Sequence, residues 1–582
     1  MTRLGFSVLF IVALPFAGLV EAASLAEFTP VTDRMLAQPA DSDWLMWRRT
    51  LDSWGYSPLE QIDRENVDKL RLVWTRGLEP GVQEGTPLVY QGTMYFPNPN
   101  DITQALDAAT GDLKWEYRRH LPDDLLDFVP VVATNRNLAI YRDLILDLSG
   151  DDYLYALDAH SGKLAWESKI RDYKVGGLQS SGPIVADGKV ISGRGCQPAS
   201  GPDACVVTAH DAISGKELWR TRTIPRPGDA GGDTWGAIPD AGRWHVGTWM
   251  APSYDPELKL IYVGTSVTAP APKYMLAGND LEYLYHNSTL ALDVNTGQIV
   301  WHYQHLVDHW DLDHTFERIL LDTVVAPDKS QVQWINPNIK AGEKRKVVTG
   351  IPGKTGVVYT LDRKTGEFLW ARTTIGQNVI SDIDPVTGKT TVNPDTVFTA
   401  AGQQRLVCPG SSGGKNWPAG AYSPLNDTMY FPLQNICMDV TSLDEKKPGL
   451  DSLYSIATEF KIAAGGENVG TIYGINTRTG RTSWKYEQRS MMLSLLTTGG
   501  HLLFGGDGAG RFRAFDQETG KVLWEVNLGS AVTGFPIAFA VNGKEYVAVS
   551  TGVSVLTGMT SSLTPEVRVS GANNLFVFAL PD

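Results

Sequence analysis

The chain has 582 residues, of which 42% are hydrophobic and 20% charged, the composition of a globular protein with a large core and not of a disordered chain. Its formal net charge of −14 argues against nucleic acid and anionic membranes as partners, because both are themselves negative. The negative charge is compatible with simple solubility or with binding of a basic protein. The length is compatible with a single domain built from repeats.

The N-terminus has the pattern of a secretory signal peptide. Arg3 gives a positive start, residues 4–20 are largely apolar, and small residues precede a cleavage position after Ala22. An uncleaved anchor is the alternative, but the apolar run is short for a membrane span and lacks strong flanking charges. We therefore predict a signal peptide over residues 1–22 and one exported, periplasmic domain over 23–582, with no membrane span after cleavage.

Four cysteines are present, and an even number in an exported protein favours two disulfides. Cys196 and Cys205 would close a short Gly/Pro loop, and Cys408 and Cys437 a longer one. Free buried thiols are the alternative. The sequence contains no Cys-x-x-Cys-His, so it carries no covalently attached c-type haem.

One sequence motif, which we call the phrase, recurs along the chain; in its fullest form it is Ala-Leu-Asp-x-x-Thr-Gly-x-x-x-Trp. Its seven copies share a turn and a closing tryptophan and lie at residues 105–115, 156–166, 209–219, 291–301, 360–370, 474–484 and 514–524. Asp followed by Thr/Ser-Gly predicts a tight hairpin turn, since Gly supplies the positive φ that such a turn needs. The alternating apolar residues on either side are typical of strands.

The ends of the chain complete this pattern. Trp74 closes a similar strand over residues 70–75, and residues 575–580 form a last apolar strand. A propeller ring closes when its first and last strands share a blade, which leaves no long open edge. Seven phrases and one shared blade therefore predict an all-β, eight-bladed β-propeller with each tryptophan packed flat between neighbouring sheets.

The phrase resembles the tryptophan-docking motif of the PQQ-dependent quinoproteins. The residues between its copies are similar to those of the soluble alcohol and methanol dehydrogenases of that family, over almost the whole mature chain. The resemblance implies oxidation of an alcohol to an aldehyde or ketone by hydride transfer to PQQ, with electrons passed to a soluble cytochrome c. Two alternatives remain: a non-catalytic scaffold of the outer-membrane assembly type, and a quinoprotein sugar or polyvinyl-alcohol dehydrogenase.

The resemblance also implies a set of cofactor-binding residues. Glu84 would lie beside the cofactor, Arg136 would pair with a PQQ carboxylate as Arg does bidentately, and Trp249 would stack under the ring. Lys354 would touch the quinone oxygens. Further members of the set are Ser180, Asn416 and Trp417. Each has an ordinary structural explanation, such as blade packing for Trp249, but their joint order along the chain favours the cofactor site.

The segment His309-Trp310-Asp311-Leu312-Asp313-His314 resembles the catalytic segment of the family, which places a base after the tryptophan. Asp311 would then take the alcohol proton, while a bound metal makes the quinone carbonyl electrophilic. In a strand, Asp311 and Asp313 would point the same way, and two like charges on one side call for a cation between them. A solvated acidic loop is the alternative.

The identity of the metal stays open between calcium and a lanthanide. Family members that use lanthanides carry a second aspartate, as at Asp313, since a trivalent ion calls for more negative oxygen ligands. Two expected ligands are absent: the family's Glu is missing where Arg194 follows Ser-Gly, and Val267 stands at the family's Asn. Arg194 could replace part of the ion's charge. The family's adjacent cysteines are replaced by Pro130-Val131.

The alcohol and the oligomeric state also stay open, with a homodimer as one option. Two long inserts, between Trp219 and Trp301 and between Trp370 and Trp484, are predicted to cap the central funnel. Aromatic side chains such as Trp235 and Tyr283 would shape an apolar substrate pocket or pack the inserts themselves.

Overall fold

The computed structural model describes residues 28–129, 134, 136–196, 205–340, 342–350, 352–444 and 454–582. The predicted signal peptide over residues 1–22 and the Pro130-Val131 pair lie outside these ranges, so the domain boundary after Ala22 stays a prediction. No helix in the described ranges is long and apolar enough to cross a membrane.

The described chain is built mainly from short strands. The first strands, in chain order, are β1 (Tyr56–Ser57), β2 (Arg71–Gly77), β3 (Leu88–Tyr90), β4 (Thr93–Asn98), β5 (Ile102–Asp107), β6 (Leu113–Arg118), β7 (Ala139–Tyr141), β8 (Leu144–Leu148), β9 (Tyr153–Asp158), β10 (Leu164–Lys169), β11 (Gly177–Leu178), β12 (Ile184–Ala186), β13 (Lys189–Gly193), β14 (Gly195–Cys196), β15 (Val206–Asp211), β16 (Glu217–Arg222), β17 (Ser253–Asp255), β18 (Leu260–Gly264), β19 (Ser288–Asp293) and β20 (Ile299–Gln304).

The later strands are β21 (Ile319–Val324), β22 (Trp334–Ile335), β23 (Lys344–Thr349), β24 (Val357–Asp362), β25 (Phe368–Thr373), β26 (Ile380–Ile383), β27 (Thr390–Val392), β28 (Gln404–Val407), β29 (Ala421–Ser423), β30 (Thr428–Gln434), β31 (Ile436–Ser442), β32 (Ile456–Ile462), β33 (Gly470–Asn476), β34 (Thr482–Gln488), β35 (Met492–Thr498), β36 (Leu502–Asp507), β37 (Arg511–Asp516), β38 (Val522–Asn527), β39 (Ile537–Val541), β40 (Lys544–Thr551) and β41 (Asn574–Ala579). Short α-helices are α1 (Asp33–Ala37), α2 (Leu125–Phe128) and α3 (Val555–Thr560). Single 3₁₀ turns lie at Val67–Lys69, Tyr173–Val175, Gly232–Trp235, Asp240–Gly242, Lys273–Met275, Pro394–Thr396 and Ser561–Leu563.

Eight antiparallel sheets of four main strands follow one another as the blades of a propeller. In chain order they are β3–β6, β7–β10, β12-β13-β15-β16, β17–β20, β21-β23-β24-β25, β29-β30-β33-β34, β35–β38, and β39–β41 with β2. The fifth blade is extended by β22, which pairs with β25, and β1 joins the seventh through parallel pairing with β35. The predicted all-β propeller is confirmed, and eight blade sheets are present in the described chain.

The ring is closed by strands from the two ends of the chain. β2 pairs antiparallel with β41, with Trp74 opposite Val577, and the other side of β41 pairs antiparallel with β40. The eighth blade thus contains both the first long strand and the last strand. This pairing confirms the predicted closure: β41 is paired on both sides, and β2 forms the outer edge of the blade.

Neighbouring blades are joined by a tryptophan ring lying on a turn glycine. Trp115 packs on Gly162, so a Cβ added at Gly162 would lie 2.5 Å from the ring, and the Trp115 Nε1 donates to the Ala159 carbonyl at 3.0 Å. Five further blade junctions repeat this contact: Trp74 on Gly111, Trp166 on Gly215, Trp219 on Gly297, Trp301 on Gly366, and Trp484 on Gly520. In these six joints the repeated phrase therefore supplies every glycine and five of the six rings, and Trp74 supplies the sixth ring.

Two junctions differ for physical reasons. At the sixth blade Val332 lies between the turn glycine and the tryptophan ring. A Cβ added at Gly480 would lie 2.6 Å from Val332 and 3.4 Å from Trp370, because the long segment before β23 brings Val332 into the joint. Trp524 faces the closing blade, which has no phrase of its own. It packs edge-on against Phe578, with 5.4 Å between ring centroids.

The predicted disulfides are present, Cys196–Cys205 and Cys408–Cys437. The aromatic residues of the first long insert pack with the first disulfide, in a cluster that contains Trp235, Trp244 and Tyr283. These side chains form the core of the insert, so the packing alternative is the correct one for them.

We expect Gly162→Ala to destabilise the protein more than Gly543→Ala. Both glycines have positive φ, +68° and +79°, but only Gly162 faces a tryptophan ring, while a Cβ at Gly543 would meet nothing within 4 Å. Backbone strain of about 1–2 kcal/mol applies to both variants, and overlap with Trp115 adds about 1–3 kcal/mol to the first. Urea unfolding measures the difference, and equal losses would contradict the joint described here.

Candidate active site

A cavity of about 170 Å³ brings together residues that are far apart in the sequence. Its lining residues are Ser180, Gly195, His245, Gly247, Trp249, Ser266, Asp311, Asp313, Lys354 and Tyr454. Five of the predicted site residues are in this set, from Ser180 to Lys354. The cavity therefore lies where the third, fourth and fifth blades and the second insert meet.

The two aspartates lie in a loop between β20 and β21 and not in a strand, so strand alternation does not align them. Asp311 has a φ of +76°, a conformation that Asp tolerates better than most side chains. The Asp308 carboxylate shapes the loop by accepting from the Trp310 N–H at 2.7 Å, and Asn287 donates to Asp308 at 3.0 Å and to the Leu312 carbonyl at 2.9 Å. These hydrogen bonds fix the loop, and the loop conformation brings the carboxylates of Asp311 and Asp313 together.

A lysine ammonium lies between the two carboxylates. Lys354 Nζ is 2.7 Å from Asp311 Oδ1 and 3.3 Å from Asp313 Oδ2. The lysine backbone N–H donates to the Asp313 carbonyl at 3.0 Å. The turn that precedes Lys354 needs a glycine at position 353, where φ is +50°, because a Cβ there would lie 2.4 Å from the His314 ring. The cation that the paired charges call for is, in this structure, a side chain of the chain itself.

The two aspartates differ in their electrostatics. Burial raises the pKa of Asp311 well above its usual range, against the opposing charge of Lys354. Burial would also raise the pKa of Asp313, but Lys354 and the Val267 N–H outweigh it and lower that pKa; the Val267 N–H lies 2.7 Å from Asp313 Oδ1 and the Trp249 Nε1 3.1 Å from Oδ2. Asp313 is a fixed anion, whereas Asp311 is the better proton acceptor.

Arg136 and Glu84 form a buried ion pair beside the cavity. Arg136 Nη2 lies 2.6 Å from Glu84 Oε2, and Nη1 donates to the Ser180 carbonyl at 2.6 Å. The guanidinium also lies 5.3 Å from the Trp249 ring and 5.8 Å from the Trp417 ring. These contacts connect three predicted residues, Glu84, Arg136 and Trp417, to the cavity wall at Ser180 and Trp249.

Asn416 is the predicted residue with the least direct role. Its amide donates to the Ser412 carbonyl at 2.9 Å, and its Oδ1 accepts from the Trp417 N–H at 2.8 Å. Asn416 is absent from the cavity lining and instead orients Trp417, whose ring packs 5.6 Å from Phe535.

Sequence reasoning missed several lining residues. His245 and Ser266 lie close to predicted segments, and the Trp-His pair just before Trp249 was a usable signal for His245. Tyr454 reaches the cavity from the second insert, and its ring lies 6.4 Å from that of His245; no local pattern marks it. Arg194 does not line the cavity, because its Nε is paired with Asp152 at 2.9 Å.

The pocket has the groups that a planar, carboxylated quinone requires. Trp249 offers a flat face and Lys354 a cation, and Arg136 Nε is buried without a hydrogen-bond partner among the described residues. Buried polar atoms that flank the lining, Gln179 Oε1, Ser181 Oγ and Thr248 Oγ1, are also unpartnered in that part of the chain. Unpaired buried polar groups are costly, so PQQ fits this donor set.

The cavity offers fewer ligands for a metal ion than it offers contacts for the cofactor. Asp311 and Asp313 direct carboxylate oxygens at one position that Lys354 Nζ fills in this structure; carboxylate oxygens are ligands that suit hard ions such as calcium or a lanthanide. Within the described ranges, no group of three or more His, Cys, Asp or Glu side chains gathers at one point. A metal held here would therefore depend on the two aspartates together with hydroxyl, backbone or cofactor oxygens.

The chain is similar to proteins of known activity. It matches the family model for PQQ glucose/ethanol/alcohol dehydrogenase, beta-propeller domain, over residues 44–380 and 469–547. It is 32% identical over 554 residues to the dehydrogenase subunit of a quinone alcohol dehydrogenase from Komagataeibacter europaeus, covering 88% of this chain and 71% of that protein. The quinoprotein alcohol dehydrogenase PedH of Pseudomonas putida is 28% identical, with 100% and 98% covered. A europium-containing methanol dehydrogenase structure superposes with a TM-score of 0.83 at 25% identity, covering 94% of this chain and 100% of that one.

We expect Arg136→Met to destabilise the protein by about 3–5 kcal/mol, because it leaves the buried Glu84 carboxylate unpaired. The double variant Arg136→Met/Glu84→Gln removes both charges and should recover most of this loss. Urea unfolding of the two variants makes the comparison. A double variant as unstable as the single one would show that the ion pair is not the reason for the loss.

Proposed function

The chain belongs to the family of PQQ-dependent alcohol dehydrogenases, and we propose that it oxidises an alcohol to an aldehyde or ketone in the cavity between Asp311 and Trp249. It is a quinoprotein oxidoreductase. The observation that carries the proposal is the contact of Lys354 with Asp311 inside a cavity that Trp249 also lines. A proton acceptor, a cation and a flat aromatic face thus meet at one point.

When bound, PQQ would supply an ortho-quinone as the hydride acceptor for the substrate carbon. The chain's contribution is to bind and orient it. Trp249 provides the stacking face, and Lys354 provides a cation for the quinone oxygens. Arg136, braced by Glu84, Ser180 and Trp417, is the cation for a carboxylate; Asn416 keeps Trp417 in place.

Asp311 takes the proton of the alcohol hydroxyl. Removing that proton prepares the carbon–oxygen bond to become a carbonyl as the hydride leaves. Burial raises the pKa of Asp311 and makes it a stronger proton acceptor, which is how general bases are adjusted toward the working pH. The charge of Lys354 opposes the effect of burial and favours the ionised carboxylate, and Asp311 lines the cavity.

The metal of this site is Ca²⁺ or a lanthanide ion, and we assign its protein ligands to Asp311 and Asp313. A hard cation there would polarise the quinone oxygen and add to the charge of Lys354. Asp313 is the stronger candidate for a permanent ligand, because its pKa is lowered and its other contacts fix its orientation.

We further propose that the protein works in the periplasm and passes electrons to a soluble cytochrome c. The signal-peptide pattern and the two disulfides support an oxidising compartment. A net charge of −14 favours encounter with a basic electron carrier. Nothing in the charged cavity favours the scaffold alternative.

We expect Asp311→Asn to lower kcat by about 10²–10⁴-fold, the usual contribution of a positioned base, while PQQ remains bound. The assay is dye-linked oxidation of a panel of alcohols by enzyme reconstituted with PQQ and calcium or a light lanthanide. Asp68→Asn, in an exposed turn, is the matched control and should keep full activity. Turnover with NAD in place of the dye, or failure of the wild-type protein to bind PQQ, would refute the proposal.

Asp313→Ala should weaken metal binding and leave the proton acceptor, Asp311, in place. Loss of one anionic oxygen ligand affects a trivalent ion more than a divalent one, so the variant should lose lanthanide response first and shift toward calcium, or lose activity. Metal titrations of the wild type and the variant provide the comparison. Unchanged responses to both ions would show that Asp313 is no ligand.

A further inference from the structure

Four charged side chains are buried together on the Trp249 side of the cavity: Arg48, Glu317, Arg318 and Lys415, which we term the buried charge cluster. Each is at most 1% exposed. The cluster lies outside the lining of the cavity, and none of its members has a role in the proposed proton transfer. Full burial of so many charges is unusual, because each loses its hydration.

The members are held by specific contacts. Lys415 Nζ lies 2.6 Å from Glu317 Oε2, and the other Glu317 oxygen accepts from the Gly420 N–H at 2.7 Å. Arg48 donates to the Gly420 carbonyl at 2.6 Å and to the Leu495 carbonyl at 2.7 Å. Arg318 Nη2 donates to the His314 carbonyl at 2.6 Å. The cluster thus bridges several blades and touches the catalytic loop.

The charges in the cluster do not balance. Three cations face one carboxylate, a net charge of +2, and Glu317 is the one opposite charge that acts on both Arg48 and Arg318 among the described residues. Arg48 Nε and Nη1 also lack a hydrogen-bond partner within the described chain. Burial lowers the pKa of Arg48 to about 10 and that of Arg318 to about 9, so both remain cations at neutral pH.

A short aromatic path joins this charge to the floor of the cavity. Lys415 Nζ lies 4.9 Å from the centre of the Phe316 ring. That ring packs edge-on against Trp249, with 5.3 Å between centroids, and Trp249 lines the cavity. Aromatic side chains screen a charge far less than water does, so the positive potential extends into the cavity.

We propose that the buried charge cluster raises the reduction potential of the quinone that binds over Trp249. The inference rests on the proposed function, because it requires PQQ in that cavity. Oxidation of the alcohol removes two electrons and two protons; the quinone would take both electrons and one proton together as a hydride, and the second proton passes to Asp311. A fixed positive charge below the ring stabilises the added negative charge and makes the cofactor the stronger oxidant.

Variants that change the cluster's charge in opposite directions test the inference. Lys415→Met removes a positive charge and should lower the midpoint potential of bound PQQ, whereas Glu317→Gln removes a negative charge and should raise it. The double variant keeps the net charge and should return close to the wild type. We expect each single change to alter the equilibrium constant of reduction about tenfold, or about 30 mV for a two-electron couple.

The measurement is a mediated redox titration of the PQQ absorbance at fixed pH, with circular dichroism to confirm folding. Lys521→Met, on the exposed surface, is the control and should leave the potential unchanged. If Lys415→Met does not fold, Arg48→Met removes the same charge from the same cluster. If neither cation variant folds, the sign of the Glu317→Gln shift decides alone.

Failure of the inference differs from failure of the proposed function. Wild-type protein that does not bind PQQ would refute the proposed function, and the inference with it. Protein that binds PQQ and oxidises alcohols, but whose potential is unchanged or shifts in the same direction in both single variants, would refute the inference alone. A general structural disturbance would not produce shifts of the midpoint potential that have opposite signs in the single variants and cancel in the double variant.

Discussion

The contact on which the rest of the structure depends is a tryptophan ring lying on a glycine of the next blade. Each copy of the phrase gives a turn glycine to one joint and a ring to the following one, so the spacing between blades is set by the thickness of an indole. The positions of Trp249, Asp311 and Lys354, which come from different segments of the ring, depend on that spacing. A larger side chain at a turn glycine such as Gly162 would push neighbouring blades apart.

The fold could be predicted from the sequence because the informative signal is local and repeated. Turn chemistry, alternation and a terminal Trp recur seven times, and Trp74 with the last strand accounts for the closure. The disulfides followed from spacing and number. The joint at Trp370 could not be predicted, because Val332 enters it from an insert with no repeat of its own.

The site was predictable only in part. Resemblance placed Ser180, Trp249, Asp311, Asp313 and Lys354, and the structure brings them to one cavity. The expectation that strand alternation aligns the aspartates was wrong, because the loop geometry comes from Asp308 and Asn287, which lie outside the motif. Tyr454 and the buried charge cluster join residues hundreds of positions apart, and no pattern within one segment contains that information.

The closing blade has a consequence for how the protein is made. β2 finds its partner, β41, about 500 residues later, in the last few residues of the chain, and β1 pairs with β35. Such distant contacts form slowly, since loop closure precedes the gain from pairing. The ring therefore stays open until β41 has been synthesised, and the arrangement of blades around the cavity is completed only when that strand has paired with both β2 and β40.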